Sequence, residues 1–237
     1  MHGQLTLESD VLYCFSVRLT THPMARRENK QHLKQSEETM ATSTTSRRGG
    51  LSSTALALIP IAIAINVALG QLVQSVLKLP IYLDSIGTVL VGILLGPLAG
   101  AITGLLANII WGLTLAPAAL PFAAVAAVIG LIAGYAGQYG AAQSWWKMAL
   151  FGVLTGIVAA AISAPIATYV FGGVTGGGTD VLVAMFQSLG ASVLGASFAQ
   201  GAVSDPLDKT ITYLVVWAII SALPKRLLAR FSNIPQQ

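Results

Sequence analysis

Polar side chains are few in the long apolar part of this chain, and two of them are spaced to bind a ligand together. Asn108 and Trp111 are three residues apart, so on a helix they share one face. An indole stacks on planar rings and a carboxamide hydrogen-bonds ring edges. The pair therefore predicts a site for a small planar molecule. The alternative is an interfacial tryptophan beside an asparagine that bonds a neighbouring helix.

Five further polar residues are candidates for the same ligand. Tyr82 and Asp84 flank the start of an apolar segment, where Asp84 would also serve as a helix cap. Lys209, if buried, would anchor a carboxylate or phosphate; otherwise it forms a local ion pair with Asp208 at a helix start. The weaker candidates are Tyr169 and Gln187.

Catalytic chemistry finds little support in the residue types present. The chain has one cysteine, Cys14, and no histidine after His32. It contains no P-loop, GxSxG or HExxH motif. We therefore predict a protein that is not an enzyme, with no catalytic residue, no metal site and no cofactor.

The candidate residues must be positioned by membrane helices. Six apolar segments are predicted as spans, at about residues 53–77, 83–95, 98–115, 118–139, 145–171 and 209–223. The second is short, so it must thin the bilayer or be sheltered by other helices. Between the fifth and sixth, residues 180–204 show an approximately amphipathic pattern. The predicted fold class is all-α: a polytopic membrane bundle of six transmembrane helices plus one amphipathic helix.

Basic residues predict the orientation of this bundle. With six spans, Arg47, Arg48, Lys147 and the segment KRLLAR share one side, which the positive-inside rule assigns to the cytoplasm. Seven spans would put KRLLAR outside. Both termini are therefore predicted to be cytoplasmic in a multi-pass protein of the cell membrane, with the site near the outer surface. The net charge of +4 needs no nucleic-acid partner, because membrane orientation explains it.

The chain divides at about residue 50. Residues 1–50 are polar and unpatterned, and hold more than half of the charged residues. They are predicted to be either a disordered tail or an over-predicted coding segment, with Met40 as the true start. Residues 51–230 form the predicted membrane substrate-binding domain, and residues 231–237 a short C-terminal tail.

A small-residue face is present in the first span. Ala64 and Ala68 are four residues apart, so they stack on one side and let another helix approach closely. That helix could belong to a partner or to the same bundle. Asn66 between them predicts an inter-helix hydrogen bond, which we assign with the two alanines to a partner-docking surface.

The apolar part of the chain resembles a known family, the substrate-binding S components of energy-coupling factor (ECF) vitamin transporters. The resemblance covers about residues 53–230. It rests on the six-span plan, the segment AINVA, the hairpin LDSIGTVLVGILLGPLAGAITGLLANIIWG and the late segment SDPLDKTITYLVVWAIISALPKRL. The hairpin is most similar to the riboflavin-type branch.

The resemblance implies a function and partners. S components bind a vitamin or similar micronutrient on the outer side of the membrane and dock onto a transmembrane T component that carries two cytoplasmic ATPases. The family's AxxxA motif, matched by Ala64 and Ala68, forms part of the docking face. A riboflavin-like ligand is the best guess. The alternative is a ligand-sensing membrane module that acts with a separate signalling partner.

Overall fold

The structure, a computed structural model, describes residues 53–231 and Asn233, with side chains from residue 57 onwards. This part of the chain is helical and contains no strand. Its α-helices are α1 (Ser53–Gly70), α2 (Ile86–Leu95), α3 (Pro97–Thr114), α4 (Ala123–Gln138), α5 (Trp145–Phe171), α6 (Asp180–Ser188), α7 (Val193–Ala222) and α8 (Lys225–Leu228). The predicted tail over residues 1–50, with the alternative start at Met40, lies outside the described residues.

Four of the described helical segments are long and apolar enough to cross a membrane. They are Ala57–Val76, Pro97–Thr114, Pro117–Gln138 and Trp145–Phe171. The first continues α1 through a π-helical turn, Gln71–Val76. Two other helices have different characters: α2 has ten residues, and α7 has thirty but carries three charged side chains.

The region after α5 differs from the prediction. Residues 180–204 do not form one amphipathic helix, because α6 ends at Ser188 and the chain turns at Gly190, whose φ is +93°. Ser192 then caps α7 by accepting a hydrogen bond from the Gly195 amide at 3.1 Å. From there α7 runs without interruption to Ala222, so the helix predicted to start near residue 209 starts sixteen residues earlier, at Val193.

Small residues bring the helices into close contact. The α2–α3 turn is made by Gly96 with φ +107°, a conformation that side chains oppose. A Cβ at Gly100 would lie 2.7 Å from Gly92 Cα and would also meet the Gly130 carbonyl, so α2, α3 and α4 approach at backbone distance. On the other side, a Cβ at Gly156 of α5 would lie 2.6 Å from the Asp205 carbonyl carbon. That contact fixes the depth of Asp205 in the bundle.

Asn66 is not on a docking surface. Its side chain is 2 % exposed and faces α2, where Nδ2 donates to Thr88 Oγ1 at 2.7 Å and Oδ1 accepts from the Gly87 amide at 2.7 Å. Both polar ends of the carboxamide are thus used inside the chain. The assignment of Asn66 to partner docking is wrong; the residue joins α1 to α2.

Replacing Asn66 by alanine is expected to destabilise the fold. The change leaves the Gly87 amide and the Thr88 hydroxyl buried without their partner, which costs about 1–3 kcal/mol. Equilibrium unfolding in mixed micelles measures the loss. Ile65→Ala, on the exposed side of the same helix, is the control and should change stability less. Equal losses for the two variants would contradict this role of Asn66.

The start of the C-terminal tail packs against the bundle. Phe231 is 4 % exposed, and Asn233 Nδ2 donates to the carbonyls of Gly92, Ile93 and Gly134 at 3.3, 2.9 and 3.0 Å. Gly92 and Ile93 lie in the last turn of α2, and Gly134 lies near the end of α4. Asn233 therefore links the ends of α2 and α4.

Candidate functional site

A cavity of about 300 Å³ opens where three connecting segments meet the ends of the helices. The segments lie before α2, after α3 and between α5 and α6. One wall is apolar, with Phe122, Val125 and Ile129 among its residues, and the other carries carboxylates and carboxamides. A small site with an apolar wall and a few convergent polar groups is typical of a ligand pocket.

Most of the predicted ligand residues line this cavity. Asn108, Trp111, Tyr82, Asp84 and Lys209 all contribute to its wall, although they come from α3, from the segment before α2 and from α7. Two do not: Tyr169 is 78 % exposed and Gln187 is also exposed, and neither lines the cavity. The candidate site therefore does not include Tyr169 or Gln187.

The tryptophan and the asparagine present different groups to the cavity. Trp111 is 4 % exposed, and its indole Nε1 donates to Gln71 Oε1 at 2.8 Å. The indole N–H is therefore engaged, and the ring surface is what remains for a ligand. Asn108 Nδ2 reaches the Ala119 carbonyl at 3.4 Å, which holds its amide nitrogen toward the chain.

Lys209 contributes to the cavity wall and also belongs to a buried ion cluster. Its side chain is 4 % exposed, and Nζ pairs with Asp208 Oδ2 and, at 3.5 Å, with Asp84 Oδ1. It also donates to Ser85 Oγ at 2.9 Å. Because two carboxylates already balance its charge, a ligand carboxylate or phosphate would have to compete with Asp208 and Asp84 for Lys209.

Asp208 holds the segment before α2 in place. It is fully buried in the middle of α7, not at a helix start as expected. Its Oδ1 accepts hydrogen bonds from the backbone amides of Tyr82 at 3.0 Å and Leu83 at 2.7 Å. Leu83 has φ +52°, a strained conformation for a leucine. The bonds from Asp208 stabilise that conformation, so α7 fixes the backbone beside the cavity.

Asp84 bridges neighbouring groups instead of capping α2. The residue before α2 is Ser85, which makes no side-chain cap. Asp84 Oδ1 accepts from Ser85 Oγ at 2.7 Å, and Oδ2 accepts from Gln74 Nε2 at 3.2 Å. Gln74 and Gln71, both in the π-helical turn, are thus part of the site, and no spacing signal in the sequence pointed to them.

Tyr82 is a neutral hydroxyl in this wall. Its oxygen accepts from Gln200 Nε2 at 3.0 Å, and its ring lies 5.6 Å from Lys209 Nζ. Burial, with a smaller effect of the negative charge of Asp205, raises the pKa of the Tyr82 phenol well above its usual range. Tyr82 therefore acts through hydrogen bonding and ring contact.

Asp205 and Gln200 are site residues that sequence reasoning missed. Both are buried on α7 and line the cavity. Asp205 lies within α7, which continues through Pro206. The available signal was its spacing of four residues from Lys209, which puts the two on one helical face.

The glycine-rich segment after α5, residues 172–178, binds the carboxylate of Asp180, the first residue of α6. Asp180 Oδ1 accepts from the Thr175 amide at 3.0 Å and Thr175 Oγ1 at 2.9 Å, and Oδ2 accepts from the Gly176 amide at 2.7 Å. Backbone amides in such a segment can bind an external anion, but here Asp180 occupies them. Among the described residues, no group of three histidine, cysteine or acidic side chains could hold a metal ion.

A buried polar cluster beside a cavity, within a bundle of apolar helices, is the arrangement of a membrane binding protein. The family model for the ECF transporter substrate-specific component matches residues 54–232. The chain belongs to this family. No curated protein and no solved structure was found to match.

Membership establishes the general role of this ECF substrate-specific component. It is a membrane protein, and members of its family are the substrate-binding subunits of transporters rather than enzymes. The family also implies a small-molecule substrate and partnership with a T component and ATPases. The alternative of a ligand-sensing module loses its support, because the family is one of transporters.

Proposed function

We propose that residues 51–230 capture a riboflavin-like micronutrient in the cavity on the outer side of the cell membrane, and deliver it inward after docking on a T component with two ATPases. The observation that carries the proposal is the convergence of Asn108, Trp111, Tyr82 and Asp84 on one cavity. A volume of about 300 Å³ suits a small ring compound.

The shape of the apolar wall supports a planar ring. Trp111 and Phe122 both line the cavity, and Phe122 is held by a stacked contact with Phe171, with ring centroids 5.9 Å apart. Aromatic walls bind rings through face and edge contacts. The carboxylates and carboxamides opposite would bind the edge of that ring. Flavin is therefore the first compound to test.

We propose six membrane crossings, made by α1, α2, α3, α4, α5 and α7. A ten-residue helix such as α2 is only about 15 Å long. However, Val89, Val91 and Ile93 are fully buried, so neighbouring helices shelter α2 from lipid. With six crossings, the basic segment at Lys225 and Arg226 lies in the cytoplasm with both termini, and the cavity opens outside.

Mass spectrometry of small molecules released from the detergent-purified protein tests this function. We expect about one bound ring compound per protein after growth with a vitamin mixture that includes riboflavin. Asn108→Leu should lower the retained amount about tenfold, since it removes a polar group of the site. Gln187→Leu, outside the cavity, is the control and should retain the ligand. An empty wild-type protein would contradict the proposal.

A further inference from the structure

Asp205 is a buried carboxylate with an incomplete set of partners. It is 3 % exposed and lines the cavity. Ser163 Oγ lies 3.3 Å from its Oδ2. Within the described part of the chain, no other group donates a hydrogen bond to it and no lysine or arginine lies within ion-pair distance. A buried carboxylate normally has several donors or a counter-ion, because loss of hydration is costly.

The other carboxylates near the cavity are satisfied by the chain itself. Lys209 pairs with Asp208 and Asp84, Asp208 also holds two backbone amides, and Asp180 holds the glycine-rich segment. Lys209 is one helical turn from Asp205 but is directed to these other partners. Among the carboxylates of the described residues near the cavity, Asp205 is thus the one left with unfilled hydrogen-bonding capacity facing the cavity.

Several donors of the cavity wall already have a partner within the chain, whereas some of its acceptors have none among the described residues. The Trp111 indole binds Gln71, the Gln200 amide nitrogen binds Tyr82, and the Asn108 amide nitrogen reaches the Ala119 carbonyl. The side-chain carbonyl oxygens of Asn108 and Gln200 accept no hydrogen bond from any described residue. Three acceptors on this wall therefore await donors.

From this imbalance we infer that the ligand presents a nitrogen donor, a protonated amine or a ring N–H, to Asp205. A carboxylate or phosphate is disfavoured at this position, because it would meet the ionised Asp205 carboxylate in a buried site. This inference rests on the proposed function and names its substrate class. The imide N–H of a flavin belongs to that class, and so does a cationic amino group.

Competitive capture by the purified full-length protein tests the inference. The protein in detergent is incubated with an equimolar mixture of pyridoxamine, thiamine, riboflavin, nicotinate and 4-pyridoxate, and retained compounds are quantified by mass spectrometry. Pyridoxamine and 4-pyridoxate form a matched pair, because they share a ring and differ by an amine against a carboxylate. We expect the wild-type protein to retain an N–H donor compound in preference to both carboxylates.

Variants at the carboxylate locate the interaction. Asp205→Asn keeps the size but loses the charge, so retention should fall roughly 10- to 100-fold, the range for a hydrogen bond to a charged group. Asp205→Glu keeps the charge and should therefore retain more compound than Asp205→Asn. Gln187→Leu, outside the cavity, is the control and should retain the compound. Size-exclusion profiles and thermal unfolding establish that each variant is folded.

The outcomes separate the two proposals. Retention of a carboxylate compound, or equal retention by wild type and folded Asp205→Asn, would overturn the nitrogen-donor inference and leave the substrate-binding function standing. Retention of nothing by the wild-type protein would contradict the function itself and the inference with it. Loss of an N–H donor compound in Asp205→Asn, with recovery in Asp205→Glu, would support both.

Discussion

Replacing Lys209 by methionine is expected to lower the free energy of unfolding by about 3–5 kcal/mol, the usual effect of removing one partner of a buried ion pair. The side chains of Lys209 and Asp208 are 4 % and 0 % exposed, so water cannot hydrate the carboxylate that remains. Equilibrium unfolding in mixed micelles measures the change. Lys78→Met, at an exposed lysine, is the control and should cost far less.

A double variant shows that the uncompensated charge causes the loss. Asp208→Asn, combined with Lys209→Met, removes that charge but keeps a side-chain oxygen for the amides of Tyr82 and Leu83. The double variant should therefore be more stable than Lys209→Met alone, which a double-mutant cycle would quantify. If the lysine variant costs less than about 1 kcal/mol, or if Asp208→Asn adds to the damage, the ion cluster does not have this role.

The second large effect is expected at the outward face of α1, which we propose as the docking surface for the T component. Ala64 and Ala68 are exposed there, beside Ile61 and Ile65. Tryptophan at both alanines would hold a partner helix away and should weaken association about 100-fold or more, roughly 3 kcal/mol. Co-purification of the T component and the ATPases with the variant measures the association, and ligand binding should be unchanged.

A matched substitution on another helix controls for the general effect of adding a tryptophan to the outer surface of the bundle. Ala161 is also a small exposed residue, on α5, and Ala161→Trp should leave association intact. Normal assembly of the variant with tryptophan at Ala64 and Ala68 would refute docking through this face. Loss of ligand binding together with assembly would indicate misfolding and would remove support for the assignment.

Much of the fold could be predicted, because apolar length is a local property of sequence. The first span, the turn at Gly96 and the long fifth helix follow from it. The start of α7 could not be predicted from apolar length, because the charged residues Asp205, Asp208 and Lys209 interrupt the apolar sequence and so resemble the end of a membrane helix. Asp208 and Lys209 are tolerated inside the helix because distant groups satisfy them: the amides of Tyr82 and Leu83 bind Asp208, and Asp84 and Ser85 bind Lys209.

The candidate site could likewise be predicted only in part. Asn108 and Trp111 were found because they share a face of one helix, which spacing reveals. Gln71 and Gln74 were missed because their roles depend on a π-helical turn. Asn66 was assigned to the wrong surface for a related reason: the sequence puts it between Ala64 and Ala68, but its side chain points to the opposite side of α1, toward Thr88.

The π-helical turn has a consequence for how substrate-binding subunits of this kind can evolve. Within Gln71–Val76 the hydrogen bonds span five residues, as from the Leu77 amide to the Leu72 carbonyl at 2.8 Å, so the turn rotates its own side chains relative to those of α1. The outward alanine face and the inward glutamines are thus set by separate stretches of one continuous helix. Mutations at Gln74, which lines the cavity, or at Gln71, which holds the Trp111 indole, can change the ligand wall while the outer face stays the same. Substrate preference could therefore evolve separately from partner docking.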